Sequence, residues 1–100
     1  MRISTHHGAC EIDSLPGQSQ IGLCHSFFIA DFKRGNGKGH QLKFKQMKAL
    51  YRAQYDYALC TVAGDNERQK HVLLESRWKK LAEFANRRSG GFTEIWGYAL

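Results

Sequence analysis

The segment Arg34–Gly39, with the sequence RGNGKG, has the residue types and spacing of an anion-binding loop. Glycine tolerates positive φ angles and lets the backbone approach a ligand closely, so successive main-chain N–H groups can turn towards one anion. An amphipathic segment follows the loop, and the N-terminus of a helix there would add its positive dipole end. Arg34 and Lys38 add positive charge. The segment therefore predicts a phosphate site built mainly from backbone.

The spacing excludes two common phosphate motifs. A P-loop requires Gly-Lys followed by Ser or Thr, whereas Gly37-Lys38 is followed by Gly39-His40. The dinucleotide fingerprint GxGxxG also fails, because no glycine stands three residues after Gly37. The loop therefore belongs to another class of phosphate site.

The charge of the chain is unevenly distributed. The 100 residues carry a net charge of +6, and the stretch from Lys33 to Arg52 contains seven basic residues and no acidic one. Such a positive field suits nucleic acid, an acidic protein surface or a phosphorylated small ligand, and charge alone does not choose among them. These basic residues cluster at the glycine loop rather than along a face interleaved with aromatic residues, which disfavours a nucleic-acid interface.

The length and the cysteine count suit one small domain, residues 1–100, with reduced thiols. Cys10, Cys24 and Cys60 are odd in number and far apart, so we expect three buried thiols in a cytosolic protein rather than a disulfide framework. We also expect no metal site, because the adjacent His6 and His7 would point to opposite faces of a strand. No apolar run approaches the roughly 20 residues of a membrane helix, so no membrane partner is expected.

The elements that position the loop follow from hydrophobic spacing. Ala9–Ser14 and Ile21–Ile29 read as strands joined by a turn with Pro16 and Gly17 in its middle. A helix of about four turns is predicted after the loop; its expected apolar positions are Leu42, Phe44, Met47, Leu50, Tyr51 and Tyr55. Tyr57–Ala63 then reads as a strand parallel to the one before the loop, which places the loop at the carboxyl end of its strand.

The remaining residues predict a second helix and a closing hairpin. Asp65 or Asn66 can cap a helix that runs to about Ser76. Trp78–Ala85 and Phe92–Ala99 flank a turn-forming segment and read as two antiparallel strands. The expected fold is therefore α/β (α+β), in the order strand, strand, helix, strand, helix, strand, strand.

Two motifs in register resemble the GNAT family of N-acetyltransferases. Arg34-x-x-Gly37-x-Gly39 after a strand is similar to the family's acetyl-coenzyme A binding motif, Gln/Arg-x-x-Gly-x-Gly/Ala. The segment from Asn66 to Trp78 is similar to the family's later segment, which starts with Asn and runs along a short helix to an aromatic residue. The resemblance covers about residues 20 to 100 and implies a reduced GNAT-like domain without the family's N-terminal strand and helices.

The resemblance implies acetyl-CoA as the cofactor, held in a gap between two splayed parallel strands, Ile21–Ala30 and Tyr57–Ala63. The pantetheine arm would lie against backbone groups at the end of the first of these strands and against Asn66. Main-chain N–H groups of the glycine loop would hold the pyrophosphate, and Lys43 or Lys45 could reach a further phosphate. The implied cofactor-binding residues are Phe28, Ile29, Ala30, Arg34, Gly35, Asn36, Gly37, Lys38, Gly39, His40 and Asn66.

The same resemblance implies direct attack of an amine on the thioester, with three departures from the family pattern. Leu73 stands where the family often has a Tyr that protonates the leaving thiolate, and Arg77 replaces the Gly before the aromatic residue. The strand ahead of the loop also lacks the Glu that many members use as a base. His25, on that strand, is the best candidate for the catalytic base.

The function expected from this resemblance is an acetyl-CoA-dependent N-acetyltransferase acting on a protein lysine or N-terminus. The alternative is an inactive GNAT-like structural or interaction protein, for example a phage virion component or a modulator of a host factor. A reduced sheet leaves an exposed edge, so a homodimer or a tightly bound partner is expected. The expected location is the cytoplasm, or a virion if the chain is phage-encoded.

Overall fold

The computed structural model describes residues 1–30 and 37–100, which form a mixed sheet and two helices. In these two ranges the elements are β1 (Arg2–Ser4), β2 (Gly8–Leu15), β3 (Gln18–Ile29), α1 (Lys38–Arg52), β4 (Tyr57–Ala63), α2 (Glu67–Glu75), β5 (Lys79–Ala85) and β6 (Phe92–Ala99). The strands lie in the order β1-β2-β3-β4-β6-β5. The predicted α+β class and element order are confirmed, and β1 is an additional strand. Neither described helix combines the length and apolar character needed to cross a membrane.

β2 and β3 form an antiparallel hairpin that contains a bulge. Gly17, in the predicted turn, has a φ of 79°, as the third position of a type II turn requires. Ala9 pairs with Phe28 and Glu11 pairs with His25, so β3 has one more residue than β2 between these pairs. Ser26 lies in this interval with a φ of 56°. A bulge of this kind bends its strand, and it lies just before the residues expected to bind the cofactor.

The predicted parallel pairing of β3 with β4 is confirmed, and it is short. The register runs only from Ile21 opposite Tyr57 to Cys24 opposite Cys60. β3 continues to Ile29 and β4 to Ala63, so the two strands separate beyond the fourth pair. This separation confirms the expected splayed pair.

α1 packs on the sheet with a face that only partly matches the predicted one, since the expected Leu42 and Leu50 are buried. Leu42, Lys43, Gln46 and Leu50 are its buried residues. Because each residue turns the helix by about 100°, these four lie within about a third of its circumference. Two residues expected in the apolar face, Phe44 and Tyr51, lie on the opposite side and are 66% and 73% exposed. The prediction was wrong for these two residues, because α1 carries two apolar stripes and the sheet covers only one.

Lys43 is a core residue rather than a phosphate ligand. Its side chain is 1% exposed, and its Nζ donates a hydrogen bond to Gln46 Oε1 at 2.7 Å. The ammonium lies 4.3 Å from the ring centre of Trp78 and 5.1 Å from that of Phe27. Burial lowers the pKa of Lys43, although nearby thiols partly offset this effect. The expected phosphate ligand was Lys43 or Lys45, and the burial of Lys43 rules out the first of these.

The three cysteines are free and buried, as predicted. Burial raises the pKa of the Cys24 thiol to about 12 and also raises the pKa values of Cys10 and Cys60. All three lie in the hydrophobic core. Because the thiolate is the reactive form of cysteine, these protonated thiols are structural groups.

Both helices end in the same hydrogen-bonding arrangement. After α2, the Arg77 N–H donates to the Leu74 carbonyl oxygen and the Trp78 N–H donates to that of Leu73. This pattern is a Schellman motif, which places Arg77 in the left-handed region, with a φ of 66°. α1 ends in the same way, with Gln54 at a φ of 64°. The motif explains why Tyr55 lies beyond the helix and not on its apolar face.

Lys70 and Glu94 connect α2 to the central strands. Lys70 Nζ lies 3.2 Å from Glu94 Oε2 and donates to the Gly64 carbonyl oxygen at 2.8 Å. Glu94 also accepts a hydrogen bond from Trp96 Nε1 at 2.9 Å. Burial alone would raise the pKa of Glu94, but the hydrogen bonds from Trp96 and Lys70 outweigh it and hold the pKa below its usual value. These contacts hold the start of α2 beside the end of β4.

Candidate functional site

A cavity of about 430 Å³ lies where β3 has separated from β4. It is enclosed by the end of β3 and by the N-terminal parts of α1 and α2. Its lining residues are Phe27, Phe28, Ile29, Gly37, Lys38, Gly39, His40, Asn66, Arg68, Gln69, His71 and Val72. The cavity therefore brings together residues from three elements that are distant in sequence.

The N-terminus of α1 opens into this cavity without a side-chain cap. Gly37 is the N-cap residue, with a φ of 74°, and none of the described side chains hydrogen-bonds to this helix end. A Cβ atom on Gly37 would meet nothing within 4 Å, whereas one on Gly39 would lie 3.3 Å from Val72 Cγ2. The first turn contains no acidic residue. Its N–H groups and positive dipole end are thus suited to an external anion.

Asn66 starts α2 at the opposite side of the cavity. Its Oδ1 accepts a hydrogen bond from the Gln69 N–H at 3.2 Å, which is the predicted capping role. Because the carbonyl end of the amide is used in this way, the Nδ2 group is the end that can donate to a ligand. Asn66 therefore both fixes the start of α2 and offers a donor at the cavity.

The structure groups most of the predicted cofactor-binding residues. Seven of them line the cavity: Phe28, Ile29, Gly37, Lys38, Gly39, His40 and Asn66. Phe28 is 51% exposed, so part of its ring is accessible to a ligand. Ala30 is not a lining residue, and its N–H donates to the His7 carbonyl oxygen. Arg34, Gly35 and Asn36 lie outside the described residues.

His25 is not among the residues that line the cavity. It is the first residue of β3 after the stretch paired with β4, and it forms two side-chain contacts. Nε2 is 2.6 Å from Asp13 Oδ2, and Nδ1 is 3.0 Å from Ser26 Oγ. The hydrogen bond with His25 is the main cause of the lowered pKa of Asp13. The result is an exposed imidazole held by a carboxylate, at the point where the sheet opens.

Two features of the site differ from the family pattern described above. Leu73 is fully buried in the core, so that position provides no acid to the cavity. Arg77 adopts the left-handed conformation for which the family's Gly is suited, so the local backbone is kept despite the substitution. Leu73 therefore changes the chemistry of the site, whereas Arg77 changes only the backbone strain.

Sequence reasoning did not assign three polar residues of α2 to the site. Arg68, Gln69 and His71 line the cavity. Arg68 and His71 are three residues apart and so share a face of the helix. In the sequence, this three-residue spacing within the predicted second helix is the feature that indicates a shared face for Arg68 and His71. The bulge at Ser26 had no comparable signal in the sequence.

Comparison with known proteins identifies the architecture. No protein-family model matches the sequence, and no curated protein matches it either. Among solved structures, an acetyltransferase of the GNAT family from Streptococcus pneumoniae matches with a TM-score of 0.81 at 15% identity, over 94% of this chain and 59% of that one. A ribosomal-protein-alanine N-acetyltransferase from Brucella melitensis matches with a TM-score of 0.83 at 12% identity, over 94% and 62%.

A third match was solved with a ligand. It is an acetyltransferase from Bacillus subtilis in complex with CoA, with a TM-score of 0.81 at 11% identity, over 94% of this chain and 69% of that one. This chain spans about three fifths of the length of the first two structures. From the splayed parallel strands, the β3 bulge and these superpositions, we conclude that the chain has the GNAT-like N-acetyltransferase fold.

Proposed function

We propose that this chain binds acetyl-CoA in the cavity and transfers its acetyl group to an amine. The observation that carries the proposal is the uncapped, glycine-led N-terminus of α1, which opens into the cavity where β3 and β4 separate. The Bacillus subtilis structure of the same fold is a complex with CoA, which supports the same ligand class here.

The lining residues fit the separate parts of such a ligand. The first-turn N–H groups of α1, with Lys38 and Arg68, provide donors and positive charge for phosphate groups. The exposed ring of Phe28 provides apolar surface for an extended arm, and Asn66 Nδ2 provides a donor. Arg34, Gly35 and Asn36 precede Gly37 in the sequence and complete the proposed binding motif.

The proposed chemistry places little demand on the protein beyond positioning and proton transfer. Bound acetyl-CoA supplies an acetyl group already activated as a thioester. His25 accepts the proton of the amine, and Asp13 orients the imidazole through the 2.6 Å contact. Both side chains are substantially exposed. An open face of this kind admits a large acceptor, so we propose a protein lysine or N-terminus as the amine.

Calorimetric titration with acetyl-CoA tests the binding step. Lys38→Glu places a carboxylate in the first turn of α1, where it suits the helix dipole and so preserves folding. The same carboxylate repels phosphate at the cavity, so we expect an affinity at least about tenfold weaker. Lys48→Glu makes the same charge change on the same helix and does not line the cavity, so it should bind like the wild type. Equal weakening by both variants would contradict the proposed site.

Release of CoA thiol in the presence of acceptor peptides tests the transfer step. His25→Ala should keep acetyl-CoA affinity and lower kcat about 100-fold or more, the usual contribution of a general base. Asp13→Asn should lower kcat less, because the imidazole remains and only its orientation is affected. Two peptides, one with a free lysine and one with a free N-terminus, distinguish the acceptors. Wild-type binding without thiol release from either peptide would refute the proposed transfer while leaving the binding site in place.

A further inference from the structure

Three side chains of types that can bind a metal ion lie close together, and two of them, His40 and His71, line the cavity. His40 lies in the first turn of α1, whereas His71 and Glu75 are one turn apart on α2. One ligand atom from each side chain lies within 4.8 Å of the other two. His71 Nε2 is 3.3 Å from Glu75 Oε1, and the rings of His40 and His71 lie 5.7 Å apart at 78°.

We propose that His40, His71 and Glu75 bind a divalent transition-metal ion, with Zn²⁺ as the representative case. Two imidazoles and one carboxylate are a donor set that zinc accepts. With bonds of about 2.0–2.1 Å in tetrahedral geometry, ligand atoms lie about 3.4 Å apart. The His71–Glu75 separation already has this value, and the His40 ligand atom, within 4.8 Å of both, would move closer on binding.

The scaffold of the site favours a bound ion over a surface ion pair. His71 and Glu75 are held by one helical turn, and His40 comes from a different helix, so the metal would connect α1 with α2. All three side chains are exposed, which leaves the fourth coordination position open to water. An exposed ion pair between His71 and Glu75 is worth too little to prevent metal binding.

The positive charge around the proposed site limits its affinity for a metal ion. Lys38 and Arg68 line the same cavity, and the chain carries a net charge of +6. Glu75 provides the negative charge that balances part of the ion's own charge. We therefore expect Glu75 to matter as much as either imidazole. The site differs from the sequence-based expectation of no metal, because only the packing of α1 on α2 brings residue 40 to residues 71 and 75.

Calorimetric titration of the folded chain with Zn²⁺ tests the proposal. His40→Ala, His71→Ala and Glu75→Gln should each weaken binding at least about tenfold, since each removes one of three ligands. His25→Ala is the matched control, because it removes an exposed histidine that also contacts a carboxylate. Its Zn²⁺ affinity should equal that of the wild type. Unchanged binding in both His40→Ala and His71→Ala would overturn the proposal.

Two further readouts identify the ligands and the bridge. Absorption of the Co²⁺-loaded chain should lack a thiolate charge-transfer band, since the three cysteines are buried and protonated. A strong thiolate band would assign the metal to the cysteines and refute the site. Zn²⁺ should also raise the Tm of the wild type and not that of His40→Ala, because only the wild type can connect the two helices. These tests do not use acetyl-CoA, so their outcome is independent of the proposed function.

Discussion

Replacing Arg77 by glycine should stabilise this protein. Arg77 is the left-handed residue of the Schellman motif that ends α2, with a φ of 66°. The left-handed conformation costs an ordinary L-residue about 1–2 kcal/mol, and glycine avoids that cost. Glycine also gives the unfolded chain more conformational freedom, which lowers the free energy of unfolding by about 0.4–1 kcal/mol. The net expectation is a gain of about 0.5–1 kcal/mol in the free energy of unfolding.

The assay is urea unfolding followed by circular dichroism, with thermal unfolding as a second measure. For a domain of about 100 residues, 0.5–1 kcal/mol corresponds to a rise in Tm of about 2–8 °C. The urea midpoint should rise without a change in m-value, because the surface exposed on unfolding stays the same.

Arg77→Ala separates backbone strain from charge. It removes the same positive charge as Arg77→Gly but still places an L-residue at a positive φ. Arg77→Ala should therefore be clearly less stable than Arg77→Gly. Gln54→Gly, at the equivalent position after α1, should also gain stability without any change of charge. Equal stability of Arg77→Gly and Arg77→Ala would refute the reasoning from strain.

Substitutions at three other positions test the bulge, the Glu94 contacts and the buried lysine. Ser26→Val should cost about 2 kcal/mol in urea unfolding, since a β-branched residue is strained at a φ of 56°, whereas Ser26→Gly should lie close to the wild type. The native pKa of Glu94 lies below its ordinary value of 4.5, so ionised Glu94 stabilises the folded state above pH 4.5. This stabilisation is lost as the pH falls through the native pKa. In thermal unfolding, Glu94→Gln should therefore lose less stability with acid than the wild type does. The native pKa of Lys43 lies below 10.5, so the folded state binds fewer protons at this residue than the unfolded state does. The wild type should therefore gain stability relative to Lys43→Met as the pH rises towards 10.5. A difference in stability that does not change with pH would contradict this assignment.

Much of the fold could be predicted because short-range patterns determine it. Apolar runs between turn residues predicted the bounds of β4 and β6. The capping preferences of Asp and Asn predicted the start of α2 at Asp65 or Asn66, and Asn66 is the cap. The parallel pairing followed from a strand, a helix and a second strand in sequence. Pro16 and Gly17 predicted the turn between β2 and β3, which the φ of Gly17 confirms.

The remaining features depend on packing that no local pattern records. A count of apolar residues on α1 favoured Phe44 and Tyr51, whereas the sheet covers Lys43 and Gln46, whose polar atoms bond to each other. The bulge at Ser26 reflects the pairing of β3 with β2, and serine has no intrinsic preference that would predict it. The cluster of His40, His71 and Glu75 exists only because two helices pack together.

The short parallel ladder between β3 and β4 divides the sheet into two lobes with a narrow seam. β1, β2 and β3 form one antiparallel lobe, and β4, β6 and β5 form the other. Within residues 1–30 and 37–100, four residue pairs join them across the sheet. In hydrogen exchange, amides along this seam should open at a lower free energy than those inside either lobe. A ligand bound between the lobes would stabilise them against this opening. Ligand binding in the cavity should therefore slow amide hydrogen exchange along the seam.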